Sequence, residues 1–275
     1  MTTEPGSVAL AAGDWAVTID PARGASVTRL VFAGQDLLAD EPAFWMIPWA
    51  NRLDGGRLGQ HRLPVNRPQD GTAIHGLSRD RPWQVAAQAP DSATLAQEVD
   101  AAPYRYAARL GVAVTEDAFT IDLAIINTGA EAMSFGAGWH PWFRRPPGTR
   151  LMFRATHRCR HDARTLPVAA DLIHGFSGGE EAFLGLDTHF TGWDGMARIA
   201  WPGLALTLEA TGALATNLQV YAPRDRPVLC VEPCSHLPDA PNRPDLADLG
   251  PMRRLAPGEI LTGRIILSAE CSHLP

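Results

Sequence analysis

Along most of this chain apolar and polar side chains alternate with a period of two, the repeat of a half-buried strand. "RLGVAVT" (Arg109 to Thr115) places Leu110, Val112 and Val114 on one face. "AFTIDLAIIN" (Ala118 to Asn127) sets Phe119, Ile121, Leu123 and Ile125 on one face and Thr120 and Asp122 on the other. The polar break Glu116-Asp117 between the two runs predicts a hairpin. Similar runs are "DWAVTID" near the start, "WQVAAQ" from Trp83, "LALTLEA" (Leu204 to Ala210), "LQVYAP" (Leu218 to Pro223) and "ILTGRIILSA" (Ile260 to Ala269). With 25 glycines and 23 prolines, turns punctuate these short segments. Helical periodicity is scarce; "DLADLGPMRRL" (Asp245 to Leu255) supplies at most a turn or two before Pro251. No internal repeat or low-complexity linker divides the chain. The pattern predicts an all-β fold, a large antiparallel β-sandwich forming a single domain over residues 1–275.

Composition narrows the partners. A formal charge of −6, with the arginines scattered among acids, leaves no basic stripe for nucleic acid. No run approaches the roughly 20 apolar residues that span a bilayer, so no membrane partner is expected. The opening "MTTEPGSVALAAGDW" lacks a basic n-region and carries an acid and a proline early, unlike a secretory signal. The cysteines Cys159, Cys230, Cys234 and Cys271 form no C-x-x-C pair. A cytoplasmic location with reduced, mostly buried thiols is therefore the expectation.

Polar, turn-rich segments interrupt the strands: "PWANRLDGGRL", "IHGLSRDRPW", "GWHPWFRR" and "VEPCSHLPDAPN". Loops carrying His, Arg, Glu and aromatics over a β scaffold are where sites are built. In "GAGWHPWFRR" a proline restricts the backbone of His140, and Trp139, Trp142 and Phe143 offer flat apolar surfaces. "GFSGG" (Gly175 to Gly179) matches the serine-hydrolase elbow in letters only. That elbow needs a strand–turn–helix setting in an α/β sheet, whereas a loop is expected here. "HRCRH" (His157 to His161) would need a helical face and a further ligand to hold zinc. It reads as a strand running into a loop, with His157 and His161 exposed, so no metal site is expected.

Taken together, these segments resemble the aldose 1-epimerase (galactose mutarotase) family, in its short bacterial form, from about Trp15 to Ser268. The resemblance rests on "NR" at Asn51-Arg52 before "GGRL", "HG" at His75-Gly76 before Trp83, and "HPWF" from His140. It continues through Asp187 and Phe190 in "LDTHF", Gln219 in "LQVYAP", Glu232 in "CVEPCSHLPDAPN" and the late "LAPGEI". The resemblance implies a galactose mutarotase-like supersandwich and an isomerase that interconverts α and β anomers of a free aldose. Such chemistry removes the C1 hydroxyl proton, protonates the ring oxygen, turns the aldehyde and closes the ring again. It needs no metal, nucleophile or cofactor.

By motif position the family's general base falls on Glu232 and its general acid on His140. His75, Arg52, Asn51, Asp187 and Gln219 fall on catalytic or sugar-holding positions. Trp142 stands where the family more often has tyrosine, which puts any hydroxyl contact there in doubt. Glu232 has to be ionised and His140 protonated, or the two share a proton, so nearby opposite charges are expected to favour both charged forms. The partner is a monosaccharide. The alternatives are an epimerase of phosphorylated or otherwise anionic sugars, with Arg79, Arg81, Arg144 and Arg145 as candidate contacts, and a non-catalytic carbohydrate-binding or sensing protein. Monomer and homodimer both stay open, since an exposed sheet edge could pair two chains.

Overall fold

The computed structural model describes residues 6–271; the outermost ends of the expected domain, and the first five residues of the segment compared with a secretory signal, lie outside them. The alternating runs form strands. Ala118–Asn127 has the bounds its pattern predicts, while Tyr104–Val114, Leu204–Gly212 and Ile260–Cys271 extend beyond theirs. These strands form the middle of a nine-stranded antiparallel sheet that begins at Gln84–Gln88 and Ser92–Ala101 and ends at Met196–Trp201, Arg150–Phe153 and Phe176–Gly179. Leu110, Val112, Phe119, Ile121 and Leu123 are buried on its inner face. On the outer face Arg264 grips both oxygens of Asp122, at 2.6 and 3.0 Å.

An eight-stranded sheet faces it, in the order Pro167–Leu172, His157–His161, Asp187–Thr191, Asn217–Tyr221, Val228–Cys234, Gly138–His140, Phe44–Met46, with Phe143–Arg144 also on Val228–Cys234. Its inward side chains, among them Trp139, Phe190, Leu218, Val220, Leu229 and Val231, join one hydrophobic cluster with the first sheet. Aromatic pairs cross between the sheets: Phe153 meets Phe190 at 4.9 Å and Phe143 meets Trp201 at 6.5 Å between ring centroids. A four-stranded sheet of Val8–Ala12, Trp15–Asp20, Ser26–Phe32 and Gln35–Asp36 adds to the same cluster. The expected large antiparallel sandwich is present. No helix among the described residues is long and apolar enough to cross a membrane.

The second face of the eight-stranded sheet is largely covered. Segments 47–81 and 235–250 lie over it, tied together by Asp239 N–H to Arg52 carbonyl (2.8 Å) and Asp54 N–H to Asp239 Oδ1 (2.9 Å). Two local expectations fail for this reason or for reasons of edge pairing. His157–His161 is a strand whose Cys159 is buried under Leu237 and Ala240, with His157 and His161 half-buried. Phe176–Gly179 is no loop: it pairs antiparallel with Arg150–Phe153 as an edge strand, so the elbow setting is missing. The cysteines are free, and of the four only Cys271 is exposed.

Arg145, one of the arginines weighed for an anionic substrate, is instead a structural tie. Its guanidinium donates to the Val228, Pro223 and Arg226 carbonyls and to Glu180 Oε1 at 2.7 Å. Hydrogen bonds to charged groups are worth roughly 1.5–3 kcal/mol each, partly offset by relaxation and water. Arg145→Met is therefore expected to lower unfolding free energy by about 2–4 kcal/mol in urea titrations. A loss under about 0.5 kcal/mol, the range of ordinary surface substitutions, would return Arg145 to the surface.

Candidate active site

Strand alternation sends one set of side chains from the eight-stranded sheet away from the sandwich core and under the covering loops. In Val228–Cys234 that set is Cys230, Glu232 and Cys234; in Asn217–Tyr221 it includes Asn217 and Gln219; in Asp187–Thr191 it includes Asp187 and His189. The pairing register aligns them in rows. His189 sits opposite Gln219 and Gln219 opposite Glu232, while Gly138 lies opposite Cys234. His140, two residues on from Gly138, therefore reaches the same face.

A cavity of about 510 Å³ opens above these rows. Glu232, His140, His75 and Arg52 line it, as do Asn51, Asp187, Gln219 and Trp142, so all the sequence-predicted site residues meet in one hollow. The central pair is His140 and Glu232, with Nε2 and Oε1 3.4 Å apart and residue exposures of 6% and 1%. His140 Nδ1 and Glu232 Oε2 have no protein partner although both are buried. The imidazole is held in an aromatic slot: Phe44 stacks on it at 4.7 Å and Trp142 at 4.8 Å, nearly parallel. Arg79 lies over Phe44 at 5.2 Å and Arg226 over Trp142 at 4.9 Å. His75 meets His140 edge-on at 5.3 Å.

The loop residues are fixed by backbone. Asn51 and His75 both adopt positive φ (55° and 64°), and His75 N–H donates to Asn51 carbonyl at 3.0 Å. His236 accepts Ala50 N–H at Nε2 (2.9 Å), so its Nδ1–H donates to Leu237 carbonyl (2.8 Å) and the ring is a neutral spacer. Arg52 is anchored by Asn51 Oδ1 (3.1 Å) and Asp70 (3.5 Å) and points Nη2 towards Asp187 at 3.8 Å. Gln219 donates from Nε2 to Asp187 Oδ1 at 2.6 Å.

The electrostatics differ from one expectation: burial, not nearby opposite charge, is the largest influence on both groups. It pushes His140 down to about 3, opposed in part by a backbone contact and reinforced by Arg79. Burial, aided by the Asp187 charge, raises Glu232 well above the usual carboxylate range against the pull of Arg52. His75 is likewise lowered, first by burial and then by His140 and the nearby arginines. Asp187 is raised by burial, against Arg52 and the Gln219 hydrogen bond. A carboxylic acid beside a neutral imidazole carries the same single proton as a carboxylate beside an imidazolium, so the pair retains the proton that acid–base work needs.

Phe44, Arg67 and Tyr221 also line the cavity and went unread in the sequence. Phe44 had one available signal, an aromatic in a strand-like "AFWM" ahead of the Asn-Arg motif. Arg67 had none, since it lies in an irregular segment. Among the arginines weighed for an anion, Arg79 lines the cavity while Arg144 reaches Gln35 (3.2 Å) instead. His140, Cys230 and Glu232 place candidate metal-ligand atoms within 4.8 Å of one another. A soft cation there would take the nitrogen and oxygen of the proton-bearing pair.

A β-supersandwich with a buried carboxyl–imidazole pair under polar loops defines the class. A family profile described as Aldose 1-epimerase matches residues 11–268, and the chain belongs to that family. The uncharacterized protein YphB of Escherichia coli K12 is 32% identical over 248 residues, 84% of each chain. A solved structure of an aldose 1-epimerase candidate from the same organism superposes with a TM-score of 0.87 at 27% identity, covering 97% of this chain and 99% of that one. A galactose mutarotase-like protein from Clostridium acetobutylicum gives 0.82 at 18% identity, over 96% and 95% of the two chains, a likeness of fold.

Gly76 tests how the loops hold the site. It has φ of 70°, and a Cβ there would lie 2.1 Å from the Ile47 carbonyl oxygen. Gly76→Ala is expected to cost about 2–5 kcal/mol of stability, from the left-handed backbone and the clash together. Urea unfolding checks it; an unchanged midpoint would mean the loop slides freely over Ile47.

Proposed function

We propose that this protein is an aldose 1-epimerase, interconverting the α and β anomers of a free aldose. The observation that carries the reading is the His140–Glu232 pair at the floor of the cavity, 3.4 Å apart, each with a further polar atom left unpartnered by protein. Glu232 takes the proton of the C1 hydroxyl as the C1–O5 bond breaks, and His140 delivers a proton to O5. The free aldehyde turns about C1–C2, and closure on its other face returns both protons. With the pair's one proton on His140, Glu232 is the carboxylate that the base step needs. Arg52 and His75 stand beside the pair to hold sugar oxygens, and Asp187 and Gln219 offer acceptor and donor for hydroxyls. Cytoplasmic location, and a monomer or homodimer, go with this proposal as they did with the sequence.

Arg67 and Arg79 at the cavity wall favour keeping one second reading, an aldose bearing an anionic substituent. Polarimetry or exchange NMR on pure anomers of glucose, galactose, their 6-phosphates and a sulfonated sugar separates the readings. Catalysis on none of them, with binding retained, would leave a carbohydrate-binding protein.

Glu232→Gln is expected to reduce kcat by about 10²–10⁴-fold, the usual contribution of one positioned proton-transfer group, while sugar affinity measured by calorimetry stays within a few-fold. His140→Asn is expected to do the same. Near-normal turnover in either variant would reassign its role.

The pH profile follows from the pair. Catalysis requires one proton shared between His140 and Glu232. It falls at low pH only when His140 gains a second proton, and that value is depressed to about 3. It falls at high pH when the shared proton leaves Glu232, whose value is raised. The acid limb of kcat/KM should therefore lie far below the ordinary histidine value near 6.5. An acid limb centred near 6.5 would show that His140 titrates as a solvent-exposed histidine.

A further inference from the structure

His189 takes no part in the proton transfers above, yet it is fully buried in the row that contains Glu232. Its Nδ1 lies 3.2 Å from Gln219 Oε1 and its Nε2 lies 3.1 Å from Asn217 Oδ1. A neutral imidazole has one donor and one acceptor, so it cannot satisfy two amide oxygens. Burial disfavours the doubly protonated ring, the neighbouring His161 and His236 add to that, and the Asn217 and Gln219 contacts oppose it. One amide must therefore turn its NH₂ towards the ring.

Gln219 is not the one that turns. Its NH₂ is committed to Asp187 Oδ1 at 2.6 Å, and rotation would set two acceptors face to face at that distance. Asn217 can turn, because its other contact is the Thr216 hydroxyl at 3.0 Å, which donates or accepts equally well. The direction of the whole chain is then fixed. Asn217 NH₂ donates to His189 Nε2, His189 Nδ1–H donates to Gln219 Oε1, and Gln219 NH₂ donates to Asp187.

We propose that His189 is a positioning residue of the sugar site, a one-way donor that locks the Gln219 amide so that Asp187 stays an acceptor for a sugar hydroxyl. This rests on the sugar-site reading only in its last step; the hydrogen-bond direction stands without it. Charged and titratable groups facing Asp187 are Arg52 at 3.8 Å, with Arg67, Glu232 and Tyr221 further off. Arg52 and the Gln219 bond oppose the desolvation of Asp187. Loss of the His189 donor frees the Gln219 amide to rotate, removes one of those two, and shifts Asp187 further towards its protonated form.

The test uses the full chain and three variants. In wild type, the ¹⁵N imidazole spectrum should show His189 as a pH-independent Nδ1–H tautomer. His189→Leu removes the donor, His189→Gln retains an N–H for Gln219, and Asn217→Asp, nearly isosteric, puts an acceptor at Nε2 and is compared at the pH where the ¹⁵N spectrum shows the turned-over Nε2–H tautomer and not the doubly protonated ring. The ¹³C titration midpoint of the Asp187 carboxyl should rise in His189→Leu and Asn217→Asp and stay near wild type in His189→Gln. With the best aldose of the panel, KM should rise about tenfold in the first two with kcat within about threefold, and recover in the third. An Nε2–H tautomer in wild type, an unmoved Asp187 midpoint in both disrupting variants, or kcat and KM failing together would overturn the proposal. Should the wild type turn over no aldose, the catalytic reading fails while both NMR arms still decide this one. If His189→Leu does not fold, Asn217→Asp carries the same comparison.

Discussion

Burial of the eight-stranded sheet on both faces is the constraint from which the site follows. A strand gives each face every second residue. In Val228–Cys234 the odd-numbered residues Leu229 and Val231 fill the sandwich, while Cys230, Glu232 and Cys234 enter the space beneath the loops. Directly opposed residues on neighbouring strands lie about 4.5–5.5 Å apart at Cβ. The register that places His189, Gln219 and Glu232 side by side thus determines which polar groups can meet. A slip by one residue would send Glu232 into the aliphatic core and Val231 into the cavity, so the apolar face protects the register of the polar one.

The sequence carried this division, but not its meaning for burial. Alternation normally separates core from water. Here "NLQVY" and "CVEPC" alternate between the sandwich core and a covered cavity, so polarity marks the site and not the surface. That is why Glu232 and His140 could be named from their motifs while their burial could not. The charges expected to hold them ionised are present but engaged elsewhere: Arg52 is shared among Asn51, Asp70 and Asp187. Desolvation then wins, since removing a lone charge from water costs more than a distant, divided counter-charge restores.

Other misreadings have the same character. Long strands such as Ala118–Asn127 were legible because many residues vote for one period. "GFSGG" and "HRCRH" were too short to show their pairing partners, which lie in Arg150–Phe153, Pro167–Leu172 and Asp187–Thr191. Arg145 read as a candidate anion contact because the carbonyls it binds belong to residues 223–228, about eighty positions away. Phe44 and His140 are neighbours through strand pairing alone. Spacing along a chain cannot report such contacts; only the registered sheet does.

The aromatic slot gives Trp142 a role that needs no hydroxyl. Phe44, His140 and Trp142 form a stack whose outer rings each carry a guanidinium, Arg79 on one and Arg226 on the other. A ring face attracts a cation, and its attraction is divided when a cation already occupies the opposite face. The stack therefore holds the imidazole between two rings that each also face a guanidinium. A proton on His140 lies between ring faces that are partly engaged, and Arg79 disfavours it. Tyrosine at 142 could supply a ring of similar area, but indole offers the larger face to both His140 and Arg226. Trp142 thus fixes where the imidazole points.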